Sequence, residues 1–194
     1  MDEDNILYST PKQFLTIKKA IKHPSSFFYT ERKGIDSIAV TLYDKIHQKV
    51  GLINETKPPF NEREDTRVFY QTALGGSLFD MVNTEDYLCM TFDEQLEIAK
   101  TTALKELQEE VGYTIPANKM IFCKRAIFNS MSNEYTWLFM AEIDEDAILG
   151  DRDPQSEAEA EASLVWQSTD HSTFDTIDGK AAATIMFYTL LKGK

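Results

Sequence analysis

Cysteine is nearly missing from this chain of 194 residues: only Cys89 and Cys123 occur, and no CxxC pair. Histidine is almost as scarce, at the scattered positions His23, His47 and His171, read as structural or surface residues. A disulfide framework and a structural zinc site are thereby excluded, and a reducing compartment is expected. No apolar run approaches the roughly 20 residues that span a bilayer. The first residues, MDEDNILYSTPKQF, are acidic and lack the apolar core of a secretory signal. Positive charge is also short, with 20 Lys and Arg against 32 Asp and Glu, for a net charge of −12. That balance excludes a surface gripping nucleic acid or anionic membrane non-specifically, though not a local site for a phosphorylated small molecule. Together these absences predict a soluble, cytoplasmic protein.

What the chain does have is apolar mass. Hydrophobic residues make up 42%, and 12 Phe, 8 Tyr and 2 Trp are enough to fill one domain core. Apolar stretches predict strands at 36–44, 49–56, 67–74, 119–128, 135–143 and 164–168. The prolines and charges of KPPFNERED (57–65) break the second strand from the third, which Gly75 and Gly76 are expected to close. Phe27, Phe28 and Tyr29 form a short extended piece after a loop, and residues 144–163 read as an acidic loop. Thr91-Phe-Asp-Glu94 is a capping-box pattern. Leu96, Ala99, Ala103, Leu107 and Val111 then recur at three- and four-residue steps, predicting one helix of about five turns through Val111. A second apolar helix, GKAAATIMFYTLLKGK, ends the chain. Strands flanking a central helix, without repeat or linker, place the chain in the α/β or α+β class. Residues 1–34 are expected to form an N-terminal arm and 35–194 the domain.

One stretch runs against helix physics. In ALKELQEEVGY (103–113), Glu106, Glu109 and Glu110 crowd the last turns before Gly112, the expected stop. The helix dipole is negative there, so each acid costs roughly 0.3–1 kcal/mol. Positions i, i+3 and i+4 share a helix face, so the three carboxylates converge and repel. A solvated acidic face is the plain explanation. Hard divalent cations, which bind clustered carboxylate oxygens, would remove both penalties together. On these residues alone both readings stand.

KELQEEVGY (105–113) resembles the core of the Nudix box, Arg-Glu-hydrophobic-x-Glu-Glu-x-Gly-hydrophobic, with Lys105 in place of Arg. Other pieces are similar, in order, to the ADP-sugar and UDP-sugar pyrophosphatases of that family. DSIAVTLYD and KVGLINETKPPF resemble their opening strands, and LGGSLFD (74–80) the glycine-containing turn before the box. NEYTWLFMAEI resembles a later strand, and TIDGKAAATIMFYTLL the final helix, so the likeness runs from about residue 35 to 192. Two departures stand out. Counting back by the full box puts Glu97 on a box glutamate and Thr91 on its glycine. In a helix that starts at Thr91, however, Glu97 lies about half a turn from Glu106, so that match is read as a coincidence of an insertion after Asp80. Lys105 lacks the bidentate fork of Arg but still neutralises charge.

The resemblance implies a Nudix-type α/β/α sandwich with a mixed central sheet. It implies hydrolysis of the diphosphate linkage in a nucleoside diphosphate sugar such as ADP-ribose or UDP-glucose, giving a nucleoside monophosphate and a sugar phosphate. Mg²⁺, or Mn²⁺, is the implied cofactor, held by Glu106, Glu109 and Glu110, with Glu110 catalytic and the carbonyl at Gly76 a further ligand. A loop carboxylate usually completes such sites as the base. SEAEAEAS offers Glu157, Glu159 and Glu161, which an extended segment would place on one side. Glu161, just ahead of the strand LVWQS, is the first choice and Glu159 the second. Lys57 stands where this branch has a phosphate-contacting Arg, and Glu134 where it holds substrate. The aromatics at 27–29 either latch onto the core or stack a nucleobase, and a homodimer formed through the N-terminal arm is implied. Other readings stay open: a catalytically silent Nudix-fold nucleotide sensor, suggested by Lys105 and the missing box glycine, a hydrolase of dinucleotide cofactors or capped RNA, or an acidic interaction protein without a small-molecule site.

Overall fold

The computed structural model describes residues 6–10, 15–20, 27–32, 36–56, 69–78, 81–169 and 178–193. Near the N-terminus, β1 (Ile6–Ser9), β2 (Leu15–Lys19) and β3 (Phe28–Arg32) form a separate antiparallel sheet. Only the third of these was foreseen, because the first two are short and lack a clean apolar alternation. The arm meets the rest of the chain where Thr30 N donates to Met131 O at 2.6 Å and Asn133 N to Thr30 O at 3.3 Å.

The central sheet is built on β4 (Ser37–Asp44) beside β5 (Lys49–Thr56), β6 (Phe69–Thr72) and β7 (Leu74–Ser77). After a two-residue strand, β8 (Tyr113–Thr114), come β9 (Met120–Ala126), β10 (Thr136–Ile143), a second two-residue strand β11 (Ile148–Leu149), and β12 (Ser163–Ser168). The order is β12-β5-β4-β10-β9, with β6 alongside β5 and β7 alongside β4. Only β4 and β10 run parallel, from Thr136 opposite Ser37 to Ile143 opposite Asp44, so the sheet is mixed. These two strands are covered on both faces, which is why SIAVTL and TWLFMAEI read as continuous apolar runs rather than alternations.

Two helices supply that cover. On one face, α2 (Phe92–Glu106) buries Ala99 and Ala103 against Ile38, Val40, Leu42, Trp137 and Phe139. On the other, the C-terminal helix buries Ala181 and Tyr188 against Ala39, Val50, Leu138 and Met140. The molecule is an α/β/α sandwich. The Thr91 capping box is formed, with Glu94 bonded back to the cap. The turn after it, Leu107–Val111, is π-helical, and Gly112 ends it at φ 85°, a conformation glycine adopts without penalty.

Several expectations need correction. The strand expected at 67–74 is broken at Ala73, because β6 pairs with β5 while β7 pairs with β4. Gly75 and Gly76 therefore lie inside β7 and not in a turn, opposite Ala39 and Ile38. A helix of six residues, α1 (Thr84–Cys89), precedes α2, and it is too short to show a period. Its Tyr87 hydroxyl donates to the buried Asp36 carboxylate at 2.7 Å, which also accepts from Trp137 Nε1 and Arg125 Nη2 at 3.1 Å each. The acidic loop contains β11 and a one-turn helix, α3 (Glu157–Glu161); the C-terminal helix is α4 (Gly179–Lys192). Among the described residues no helix is long and apolar enough to cross a membrane.

Candidate functional site

The end of α2 brings Glu106 against β7, and the π turn that follows carries Glu109 and Glu110. A Cβ added at Gly76 would lie 2.7 Å from Glu106 Cγ and 2.8 Å from its Oε1, so a larger residue would make this carboxylate shift from the strand. That contact, not a turn conformation, is what the glycine provides. Glu109 pairs with Lys105 at 2.9 Å, one turn back on the helix. Glu110, like the other two, is half-buried. Burial, and then the charges of Glu106, Glu159 and Glu55, push its carboxyl up to about 8, against the pull of Arg152.

Two members of this neighbourhood, Glu55 and Arg152, were not singled out from the sequence. Glu55 stands near the end of β5 and accepts from Thr72 Oγ1 at 2.5 Å. Arg152 donates to the carbonyls of Ala162 and Glu159, at 2.9 and 2.5 Å, and so braces the segment that carries Glu159. The same segment is tied to the carboxylate helix by Asp153 N donating to Glu109 O at 2.8 Å, and by Gly150 N donating to Gly112 O at 2.9 Å.

The extended arrangement expected for Glu157, Glu159 and Glu161 is not found. Ser156 caps a helical turn by accepting from Glu159 N, and helical spacing sends residues two apart to different sides. Glu159 is half-buried and enters the surroundings of Glu110, with one carboxylate oxygen accepting from Gln155 N at 2.6 Å. Glu161 is exposed.

Glu134 lines a separate cavity of about 430 Å³ together with Arg32, Thr30, Asn129 and Lys180. Its carboxylate accepts from Ser37 Oγ and pairs with Arg32 at 3.4 Å, so the arm contributes to this cavity. Ser37 opens β4, and Gly76 lies across from its neighbour Ile38, so the cavity and the carboxylate patch share one end of the sheet. Lys57 lies outside the described residues, as do His23 and His171. Phe27 and Phe28 are exposed, Tyr29 is half-buried, and His47 sits in an exposed turn with Nδ1 at 2.7 Å from Asp44. Glu97 is exposed on α2.

Among the described residues, no group of three or more His, Cys, Asp or Glu side chains is gathered as they stand to hold a metal ion. The donor chemistry nonetheless suits a hard divalent cation. Every side-chain donor is a carboxylate oxygen, and Glu110 is held where its negative charge is unwelcome unless a cation arrives.

No family model matches the chain, and no curated protein matches it in sequence. Among solved structures it is similar to the crystal structure of an ADP compounds hydrolase, at 15% identity and a TM-score of 0.61. That likeness covers 97% of this chain and 94% of the other, so the whole sandwich and not one motif carries it; at this identity it shows a shared fold.

Proposed function

We propose that this protein is a divalent-cation-dependent hydrolase that splits the diphosphate linkage of a nucleoside diphosphate sugar, of the ADP-ribose or UDP-glucose kind. The observation that carries the reading is the Glu110 carboxyl, raised to about 8 among Glu106, Glu159 and Glu55 and backed by the Gly76 strand edge. Acids whose charges bear on Glu110 near the negative end of a helix destabilise an empty protein and suit one that works with cations. The fold shared with an ADP compounds hydrolase, and the Nudix-like KELQEEVGY, support the same reading.

Glu106, Glu109 and Glu110, with the Gly76 carbonyl, would hold Mg²⁺ or Mn²⁺. Bound there, the cations would neutralise the diphosphate and lower the pKa of the attacking water. Glu159 is the group we assign to take the proton from that water, because its charge bears on Glu110 and it is half-buried where Glu161 is exposed. The water oxygen bonds to one phosphorus as the bond from that phosphorus to the bridging oxygen breaks, leaving a nucleoside monophosphate and a sugar phosphate. Arg152 keeps the Glu159 turn in place through the two carbonyls it binds. Lys57 and the Glu134 cavity would hold the remainder of the substrate. The arm, with Ile6, Leu7 and Tyr8 exposed, is where we place the contact of a homodimer, which light scattering would test.

The deciding experiment incubates the protein with Mg²⁺ and a panel of ADP-ribose, UDP-glucose, a dinucleotide cofactor and capped RNA, and identifies the products. AMP with ribose 5-phosphate, or UMP with glucose 1-phosphate, is the expected outcome. Saturable binding without any turnover across the panel would instead favour the silent sensor.

A further inference from the structure

The largest cavity we describe has about 640 Å³ and lies far from the carboxylate patch. It is framed by Tyr43 at the end of β4, Lys45 in the following turn, Val50 at the start of β5, and Ile185, Tyr188 and Lys192 on α4. The carboxylate patch sits at the opposite end of those strands, beneath the other helix. Along β4 alone, from Ser37 to Asp44, the separation is roughly 23 Å at the usual strand rise. Packed interiors leave few voids larger than a water molecule. This volume instead falls within the roughly 300–1,000 Å³ typical of small-molecule sites.

Its chemistry has two parts. Part-exposed Ile185 covers the buried Val50 and Met140, and beside it the rings of Tyr43 and Tyr188 pack against each other, 5.5 Å apart and inclined at 53°. At the mouth, Lys45 and Lys192 both reach one carboxylate, Glu142, at 3.5 and 2.6 Å. Glu142 is only 4% exposed and also accepts from the Tyr188 hydroxyl at 2.5 Å. Two ammonium groups therefore share Glu142, and Lys45 also acts on Asp144, so both lysines are held at the rim by acids. Both lysines keep solvent access, at 42% and 52%, so they can meet an incoming group without unfolding anything.

We infer that this cavity is a second ligand site, for a small planar molecule bearing one anionic group. The ring lies against Ile185 and the edge of the tyrosine pair, and the anion stops at Lys45 and Lys192. Carboxylates and phosphates share that chemistry, and the test separates them. The site does not depend on the proposed hydrolase activity.

The test uses methyl-labelled protein without metal, following the Met140 and Ile185 methyl signals by NMR while adding 1-naphthoate, 1-naphthyl phosphate, or neutral 1-naphthalenemethanol. Saturable shifts are expected with at least one anion, which should bind about tenfold more tightly than the neutral compound, the worth of one charge-assisted hydrogen bond. Tighter naphthoate assigns a carboxylate ligand, and tighter naphthyl phosphate a phosphate. Lys45→Gln with Lys192→Gln should erase the preference for anions. Thr189→Trp, at an exposed rim position on α4, should block entry with the core untouched. Absence of saturable shifts with both anions, equal binding of the neutral compound, or undiminished shifts in the Thr189→Trp protein would each overturn the proposal.

Discussion

Glu110 and Glu142 are the same residue type, both withdrawn from water, at opposite ends of one sheet, and their acidities move in opposite directions. Burial acts to raise both. At Glu110 the neighbouring acids Glu106, Glu159 and Glu55 add to it, and the carboxyl rises to about 8. At Glu142 the hydrogen bonds from Lys192 and Tyr188, with the charges of Lys192 and Lys45, more than offset burial and hold it below the usual range. The fold surrounds one carboxylate with basic and hydroxyl side chains and sets the other among further acids. Burial alone does not mark a functional acid; the sign of its neighbours does.

Exchanging each glutamate for its neutral isostere sharpens that contrast most. Glu110→Gln should lower turnover of the best nucleoside diphosphate sugar by about 10²-fold or more, the scale on which transition-state charge stabilisation is lost. Its cation-free melting temperature should stay level or rise. Glu142→Gln should do the reverse, costing about 2 kcal/mol in denaturant melts by removing bonds to charged partners, with little direct effect on turnover. Equal destabilisation by both would break the comparison.

Acidity gives the same contrast a direction. A raised carboxyl costs stability as pH climbs from the ordinary carboxylate range towards about 8, because only the unfolded chain releases its proton readily. The cation-free wild type should therefore lose stability relative to Glu110→Gln across that window. The stabilisation from Glu142 is present above the ordinary range and disappears as pH falls through its lowered value, so the Glu142→Gln penalty should shrink in acid. Melts at a series of pH values check both slopes.

Millimolar Mg²⁺ or Mn²⁺ should stabilise the wild type by mass action, by on the order of 1–3 kcal/mol, and so raise its melting temperature. The triple variant with Gln at 106, 109 and 110 should not respond; an equal shift in both would place the ions elsewhere, for instance on the acidic segment 144–161. The smallest effects belong to α2, away from both acids. Thr91→Ala should cost about 1 kcal/mol through the lost cap. Glu97→Gln should leave turnover within about threefold, since helix pitch turns it away from Glu106. Damage from Glu97→Gln comparable to that from Glu110→Gln would show that the box register used here is wrong.

Much of the scaffold could be read from local pattern. The doubly covered strands announced themselves as unbroken apolar runs, and the Thr91 box fixed the start of α2. The glutamate trio was visible because helix periodicity alone puts it on one face. Ser156 and Glu159 repeat the Ser/Thr-x-x-Glu spacing of that cap, so α3 was legible too, but the regular alternation of SEAEAEAS suggested an extended segment instead. Gly75 and Gly76 misled in another way. Glycine pairs usually mark turns, whereas here the reason for Gly76 is a glutamate on α2 that no local window contains. Glu55 and Arg152 join the site only through sheet pairing and the 150–162 connection, which the chain does not spell out residue by residue.

The π turn at the end of α2 settles a problem of phase. Ala99, Ala103, Leu107 and Val111 are four residues apart throughout, and an α-helix turns about 100° per residue, so each such step overshoots by about 40°. Three steps would accumulate roughly 120° and swing Val111 off the sheet. Yet Leu107 is 0% exposed and Val111 5%. The wider turn, closed across five residues and not four, advances less per residue and winds the accumulated lead back. Glu106 and Glu110 are also four apart and ride on the same correction. The device that keeps the apolar stripe aimed at the sheet thus keeps the two carboxylates in step along its flank.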